Sequence, residues 1–378
     1  MLLRQLASSL LEQGWPASRV TRFDFSDDRV RELGVGPRQV VDAVAPDPRD
    51  RSQHVFLFDE IAKVDGWDLW LKQAVDSASH RFVVTDSSAH LLRSGSRESG
   101  QGRWDDHMLE PLTYREFARL CYGRSADPAS VLPRALPRYL ALGGFPEHIA
   151  ADDPRLVWER LRSDLTEKAV QSELLRAQVD IEGARRLFVY LVRKSGATLN
   201  VAEVAKDLGR DQRAVAGWLS LLEDLALVKR LDPLGTARVA MRSHPRIYAS
   251  DHGMVAAFAD AADPLSDDQV IGSLRETLVF RHLREVARGD AIRFFRKDDR
   301  SEIDFVLSTA AGRVAVEVTA KREPAGEKVK TAREAGEKAG AKSVLIVHGG
   351  TARETRAGVV LLPLHEFLLK PEIVTEAG

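Results

Sequence analysis

Val55-Phe56-Leu57-Phe58-Asp59-Glu60 constrains this chain more than any other stretch. Four apolar side chains in a row leave no polar face, so a strand here is covered on both sides, as in a parallel sheet. Arg81-Phe82-Val83-Val84-Thr85 is a second such run, ending in Asp86-Ser87-Ser88, and Thr21-Arg22-Phe23-Asp24-Phe25 reads as a shorter strand ahead of both. Helical stretches lie between, including Trp67 to Ala78. Strand–helix–strand alternation predicts an open parallel sheet, with ligands beyond the carboxyl ends of its strands. Asp59, Glu60, Ser87 and Ser88 all fall at those ends.

An apolar run closed by Asp-Glu is the Walker B pattern. Asp59 suits Mg²⁺, because hard cations take oxygen ligands. Glu60 suits the base that orients and deprotonates an attacking water, and Ser87 or Ser88 suits contact with a γ-phosphate. A strand capped by solvated acids has the same residues, so the motif alone leaves both readings open.

The wider sequence narrows them. Phe58-Asp59-Glu60-Ile61-Ala62-Lys63-Val64-Asp65-Gly66-Trp67, Phe82 to Ala89 and Leu112-Thr113-Tyr114-Arg115-Glu116-Phe117 resemble prokaryotic AAA-type P-loop ATPases that carry a C-terminal PD-(D/E)XK nuclease-like domain. Gly143-Gly144-Phe145-Pro146-Glu147 and Arg246-Ile247-Tyr248-Ala249-Ser250-Asp251-His252-Gly253 are similar to two further segments of that family, in the same order. The resemblance implies ATP and Mg²⁺ as cofactors. It also implies a Gly-rich loop ending Gly-Lys-Thr-Thr just before a Leu-Leu-Arg-Gln-Leu-like helix. Here Leu2-Leu3-Arg4-Gln5-Leu6 opens the sequence, and the first lysine is Lys63. The expectation is therefore a truncated P-loop sheet, short by one strand and a phosphate loop, roughly 20–40 residues by the size of such a unit. It would bind ATP poorly, through either a late start or a natural loss. Gly36-Pro37-Arg38-Gln39-Val40-Val41 echoes the loop but lacks Gly-Lys-Thr. Asp86 stands where the family has Gly, and a carboxylate there would repel phosphate. Arg103, after Gly102, reads as an arginine finger or a surface arginine.

Residues 126–182 read as a helical lid or linker, in which Gly143-Gly144 permits a turn. Residues 183–252 read as a winged helix. Its first helix covers Arg185 to Lys194, Asn200 and Asp211 cap the next two, and Val228–Leu231 with Arg238–Met241 form the wing. Residues 183–250 hold twelve basic and six acidic side chains, a charge of +6 that leaves −7 for the rest. Such an excess suits double-stranded DNA, with Gln212, Arg213 and Arg238 at the contact. It equally suits a basic face packed on the acidic remainder.

Residues 265–378 follow a helix–strand–strand–helix–strand order and resemble an α/β restriction-endonuclease-like core. Alternation puts Glu302 and Asp304 on one face, and Glu317, Thr319 and Lys321 on one face of the next strand. The resemblance makes Asp304 and Glu317 Mg²⁺ ligands and Glu276 the acid of the preceding helix. Its catalytic lysine position holds Thr319, with Lys321 one strand repeat beyond, so a degenerate site is expected.

Composition excludes several classes. Cys121 is the single cysteine, so an internal disulfide and a Cys-based zinc cluster are excluded. No apolar run reaches the roughly 18 residues of a membrane span, which predicts no membrane partner, and a single cysteine suits a reducing cytoplasm. Three functions remain: an ATPase, a non-catalytic DNA-binding or interaction protein, and a Mg²⁺-dependent DNA nuclease. The expected divisions are 1–125, 126–182, 183–252 and 265–378.

Overall fold

Phe56, Leu57 and Phe58 are wholly buried at the centre of a parallel three-stranded sheet. The computed structural model describes residues 2–47, 52–77, 80–86, 105–166, 180–235, 244–287, 291–298 and 301–376. The sheet runs β1 (Val20–Asp24), β2 (Val55–Asp59), β3 (Arg81–Val84), with Val20 opposite Val55 and Val55 opposite Arg81. Alternation sends the strand's side chains to two covers. Val55 and Leu57 meet Leu3 and Leu6 of α1 (Leu2–Glu12). Phe56 and Phe58 face Val40, Trp67 and Leu71. These come from α3 (Pro37–Val44) and α4 (Trp67–Ser77), which follow the short α2 (Asp28–Glu32). Each such aromatic or leucine contributes about 1.5–3 kcal/mol by leaving water, which fixes β2 as the strand the others pack around. Gly36-Pro37 opens α3, with proline at the first helical turn, where its missing N–H is harmless.

The chain divides into two compact units, 1–108 and 109–378. The expected boundary at 125 moves back, because Tyr114 and Phe117 are wholly buried in the core of the second unit. The helical, winged-helix and C-terminal segments expected as separate domains share that core, which runs from Tyr114 to Val374. Its first helices are α5 (Tyr114–Tyr122), α6 (Leu132–Leu142) and α7 (Pro154–Ser163). Next come α8 (Ile181–Arg193), α9 (Val201–Leu208) and α10 (Gln212–Asp224). Asn200 and Asp211 cap α9 and α10 as their side chains predict.

The pair β4 (Val228–Leu231) and β5 (Arg246–Ala249) is antiparallel. The wing strand expected at 238–241, with Arg238, lies outside the described residues. The partner that β4 does have is β5, whose four residues are all buried and so show no alternation. After α11 (His252–Phe258) and α12 (Asp268–Val286) come β6 (Ile292–Asp298), β7 (Ser301–Thr309), β8 (Gly312–Val318) and α13 (Gly326–Lys338). The chain closes with β9 (Ala341–His348), β10 (Glu354–Arg356), β11 (Val359–Pro363), α14 (Leu364–Leu369) and α15 (Ile373–Glu376). Six strands form one mixed sheet in the order β10-β11-β9-β8-β7-β6. Its central strands β8 and β9 are parallel, and β6 to β8 form an antiparallel meander.

Candidate functional site

Asp59 ends the central strand of the front unit, where the sequence places a Mg²⁺ ligand. Its Oδ1 accepts a hydrogen bond from the Thr85 hydroxyl at 2.6 Å, and its Oδ2 pairs with the Arg22 guanidinium at 3.2 Å. The carboxylate is about a quarter exposed (27%), so solvent and ligands reach it. Glu60 follows with φ of +55°, a left-handed conformation that non-glycine residues seldom adopt. Strain of this kind collects where a chain must aim a side chain, here directly beyond the strand. Asp86 has its own explanation. Its carboxylate accepts the Ala62 N–H at 3.1 Å, tying the turn after Glu60 to the end of β3. Ser87, Ser88 and Arg103 lie outside the described residues. Arg22 and Thr85 were not singled out from sequence; Thr85 is the polar residue that ends the second apolar run, and only pairing across strands identifies it as Asp59's partner.

A second cluster lies in the back unit. Arg246 projects from β5 with its side chain only 7% exposed. Its Nη1 donates to Glu276 Oε1 and Asp304 Oδ1, both at 3.1 Å, and its Nη2 pairs with Glu302. The Tyr248 hydroxyl donates to Glu276 Oε1 at 2.6 Å, and the guanidinium lies over the Phe294 ring at 5.1 Å. Asp304 Oδ2 accepts the Val318 N–H at 2.9 Å, and Glu317 pairs with Lys328 of α13. Glu276, Asp304 and Glu317 are thus brought together, with Glu302 on the same face as Asp304.

The cations differ from expectation. β8 ends at Val318; Thr319 begins the turn, and Lys321 is exposed beyond the strand, so the cation at Glu317 comes from a helix instead. Arg246 lies more than 50 residues away in sequence from Glu302 and Asp304, and no local spacing signals it. Burial pushes Glu276 up to about 8 and Glu317 up to about 7, with repulsion from Asp304 second in both. Arg246 is held charged above its ordinary value: burial opposes the charge, but Tyr248, Asp304 and Glu276 outweigh it. Among the described residues no three acids, histidines or cysteines converge with metal-binding geometry.

Five of the twelve basic side chains of 183–250 pair with acids outside that segment. Arg185 pairs with Glu182, Arg193 with Asp260, Arg210 with Asp180, Lys229 with Glu110, and Arg246 with the acidic cluster. Gln212 and Arg213 are exposed on the first turn of α10. No helix among the described residues is long and apolar enough to cross a membrane.

Comparison with known proteins divides the chain in three. Residues 1–118 match an AAA domain, and residues 133–265 and 271–367 match two domains of unknown function. An uncharacterized Haemophilus influenzae protein is 23% identical over 67% of this chain and 64% of its own length. An uncharacterized Methanocaldococcus jannaschii protein, MJ1544, is 24% identical over 75% of this chain and 65% of its own. The chain thus spans just under two thirds of these relatives. The crystal structure of protein VC1899 from Vibrio cholerae aligns over 96% of this chain and 98% of that one at 11% identity, with a TM-score of 0.21, too low to carry an argument. The front of the chain is AAA-like, joined to a C-terminal domain of unknown function.

Proposed function

We propose that the front unit contributes the Walker B half of an ATP-hydrolysing site. The observation that carries this is the pair Asp59–Glu60 at the carboxyl end of a buried central parallel strand, in a segment that matches an AAA domain. Asp59 is the oxygen donor that fits Mg²⁺, which neutralises phosphate charge when bound. Glu60 takes the proton of the attacking water. Arg22 holds Asp59 in place, and Thr85 fixes its second oxygen. Ser87 or Ser88 would contact the γ-phosphate of a bound nucleotide. The back unit supplies a winged helix at 183–252 and a nuclease-like fold at 265–378. The pairing of Arg185, Arg193, Arg210, Lys229 and Arg246 with acids outside 183–250 favours a packing role for that winged helix over a DNA contact.

The 378 residues contain no Gly-Lys pair, so no phosphate-loop lysine is present within them. This chain is expected to bind Mg·ATP only in the millimolar range by calorimetry, because the loop supplies most phosphate contacts. A form carrying a strand and Gly-x-x-x-x-Gly-Lys-Thr ahead of Leu2 is expected to bind at micromolar levels and to turn over. In that form Glu60→Gln should lower kcat by roughly 10²–10³ while leaving binding intact. Absence of ATP binding by the loop-bearing form would sink the proposal.

The packing reading has its own test. Arg213→Ala should leave duplex-DNA affinity at low salt unchanged within about twofold, because a lone exposed cation adds little. A steep salt-dependent loss of binding in that variant would restore the DNA-contact reading.

A further inference from the structure

Four acids of the back unit face one another, and two cations of the same chain stand among them. The geometry points to a guanidinium receptor: Glu276, Glu302 and Asp304 hold Arg246 as a lock between segment 244–252 and the C-terminal sheet, in place of a divalent-metal centre.

A divalent cation held by carboxylates takes several oxygens at about 2.0–2.6 Å. Most of the oxygens it would need already accept from groups of this chain. Asp304 gives one to Arg246 and the other to the Val318 N–H, at 3.1 and 2.9 Å. Glu276 gives Oε1 to both Arg246 and Tyr248, at 3.1 and 2.6 Å. Glu317 gives one oxygen to Lys328 and directs the other at the Asp304 N–H, 3.4 Å away. Arg246 itself is fixed from several sides. Its strand pairs with β4, it bridges to Thr198, and its guanidinium lies over Phe294. A planar fork reaching two carboxylates through different nitrogens is what guanidinium supplies and a metal ion or lysine does not.

Gly196 completes the fit. A Cβ at this position would come within 3.0 Å of Glu276 Oε1, so the backbone itself closes that side of the cluster. Five residues beyond Arg246, Asp251 is wholly buried and accepts the Gly144 N–H at 2.9 Å. One segment, Arg246–Gly253, therefore fastens the C-terminal sheet at one end and the helical part at the other.

The test uses thermal melts of the full chain with and without millimolar Mn²⁺, and electron paramagnetic resonance of Mn²⁺ for binding. Wild-type protein should bind no Mn²⁺ and melt at the same temperature with or without it. Arg246→Met keeps the stem and strands three acids, so Tm should fall by on the order of 10 °C. Asp304→Asn alone should also lower Tm. Added to Arg246→Met, it should raise Tm, because it removes a charge that has lost its partner. If Arg246→Met does not fold, the double variant still should.

The lock is overturned by stoichiometric Mn²⁺ binding to wild type that Asp304→Asn abolishes. It is equally overturned by an Arg246→Met protein that melts with wild type, or by a double variant no better than Arg246→Met. The lock rests on the nuclease-like reading only in the choice of Mn²⁺ as rival cation, and the melts read it without nucleotide, so its failure and that of the ATP reading are separate results.

Discussion

Gly143→Ala should destabilise the back unit by about 5 kcal/mol or more, seen as a Tm lowered by on the order of 10 °C or as loss of soluble protein. Three effects coincide at this glycine. Its φ of +79° disfavours any L side chain, which alone costs about 1–2 kcal/mol. A Cβ there would sit 2.2 Å from Asp251 Oδ1 and 2.9 Å from the Gly253 Cα. Neither can retreat cheaply. Asp251 is wholly buried, and its two oxygens hold the Gly144 and Gly253 N–H groups at 2.9 and 2.8 Å, the latter capping α11. Moving the carboxylate strands a buried charge and two amides together. Gly209→Ala is the control. Gly209 also has positive φ, +64°, but a Cβ there meets nothing within 4 Å, so only the backbone term of about 1 kcal/mol applies. Melting temperatures for the two variants within a few degrees of each other would refute the close-packing account.

The same contact shows what the sequence could and could not convey. Local rules reached the front sheet, because continuous apolar runs have one stable solution: β2 lies at Val55–Asp59 and β3 at Arg81–Val84. They also reached β6 to β9 and α12 to within a few residues, since alternation and amphipathic spacing are local properties. β10 and β11 escaped notice, being short and placed after a loop whose direction only the sheet decides. Gly143-Gly144 and the segment ending Asp251-His252-Gly253 were recognisable as motifs but not as one structure. Their meeting spans 107 residues, and no spacing rule links a turn to an acid at that distance. Arg246 is the sharper instance. In a charge count it added to a basic segment and so to a DNA reading; in the fold it is spent on Glu276 of α12 and on Glu302 and Asp304 of β7. Net charge records how many cations a segment carries, whereas binding depends on how many remain unpaired.

Acid should weaken the back unit through one histidine. His282, on α12, is wholly buried with both ring nitrogens in use. Nε2 accepts the Tyr114 N–H at 3.1 Å, satisfying one of the amides that the first turn of α5 leaves without an intrahelical partner. Nδ1–H therefore donates to the Leu278 carbonyl at 2.9 Å, and the ring must be neutral. Burial, with repulsion from Arg281 and His252, drives its pKa down to about 3 from 6.5. The folded state thus refuses a proton that the unfolded chain takes up below pH 6.5. The contribution is complete above that pH and is lost as pH falls toward 3. Linkage gives a loss of about 2 kcal/mol between pH 7.5 and 5.0, rising to roughly 4 kcal/mol near pH 3. Glu276 and Glu317 act with the opposite sign. Their pKa values are raised in the folded state, so their share is complete below about 4.5 and lost as pH rises toward 8 and 7 respectively. The wild-type curve alone therefore mixes two slopes. His282→Leu separates them. It should lose about 1–3 kcal/mol at pH 7.5 for the stranded Tyr114 N–H, yet lose about 2 kcal/mol less than wild type on going to pH 5.0. Guanidinium melts at the two pH values measure this difference directly. Parallel losses in wild type and variant would show that His282 already carries a proton in the folded protein.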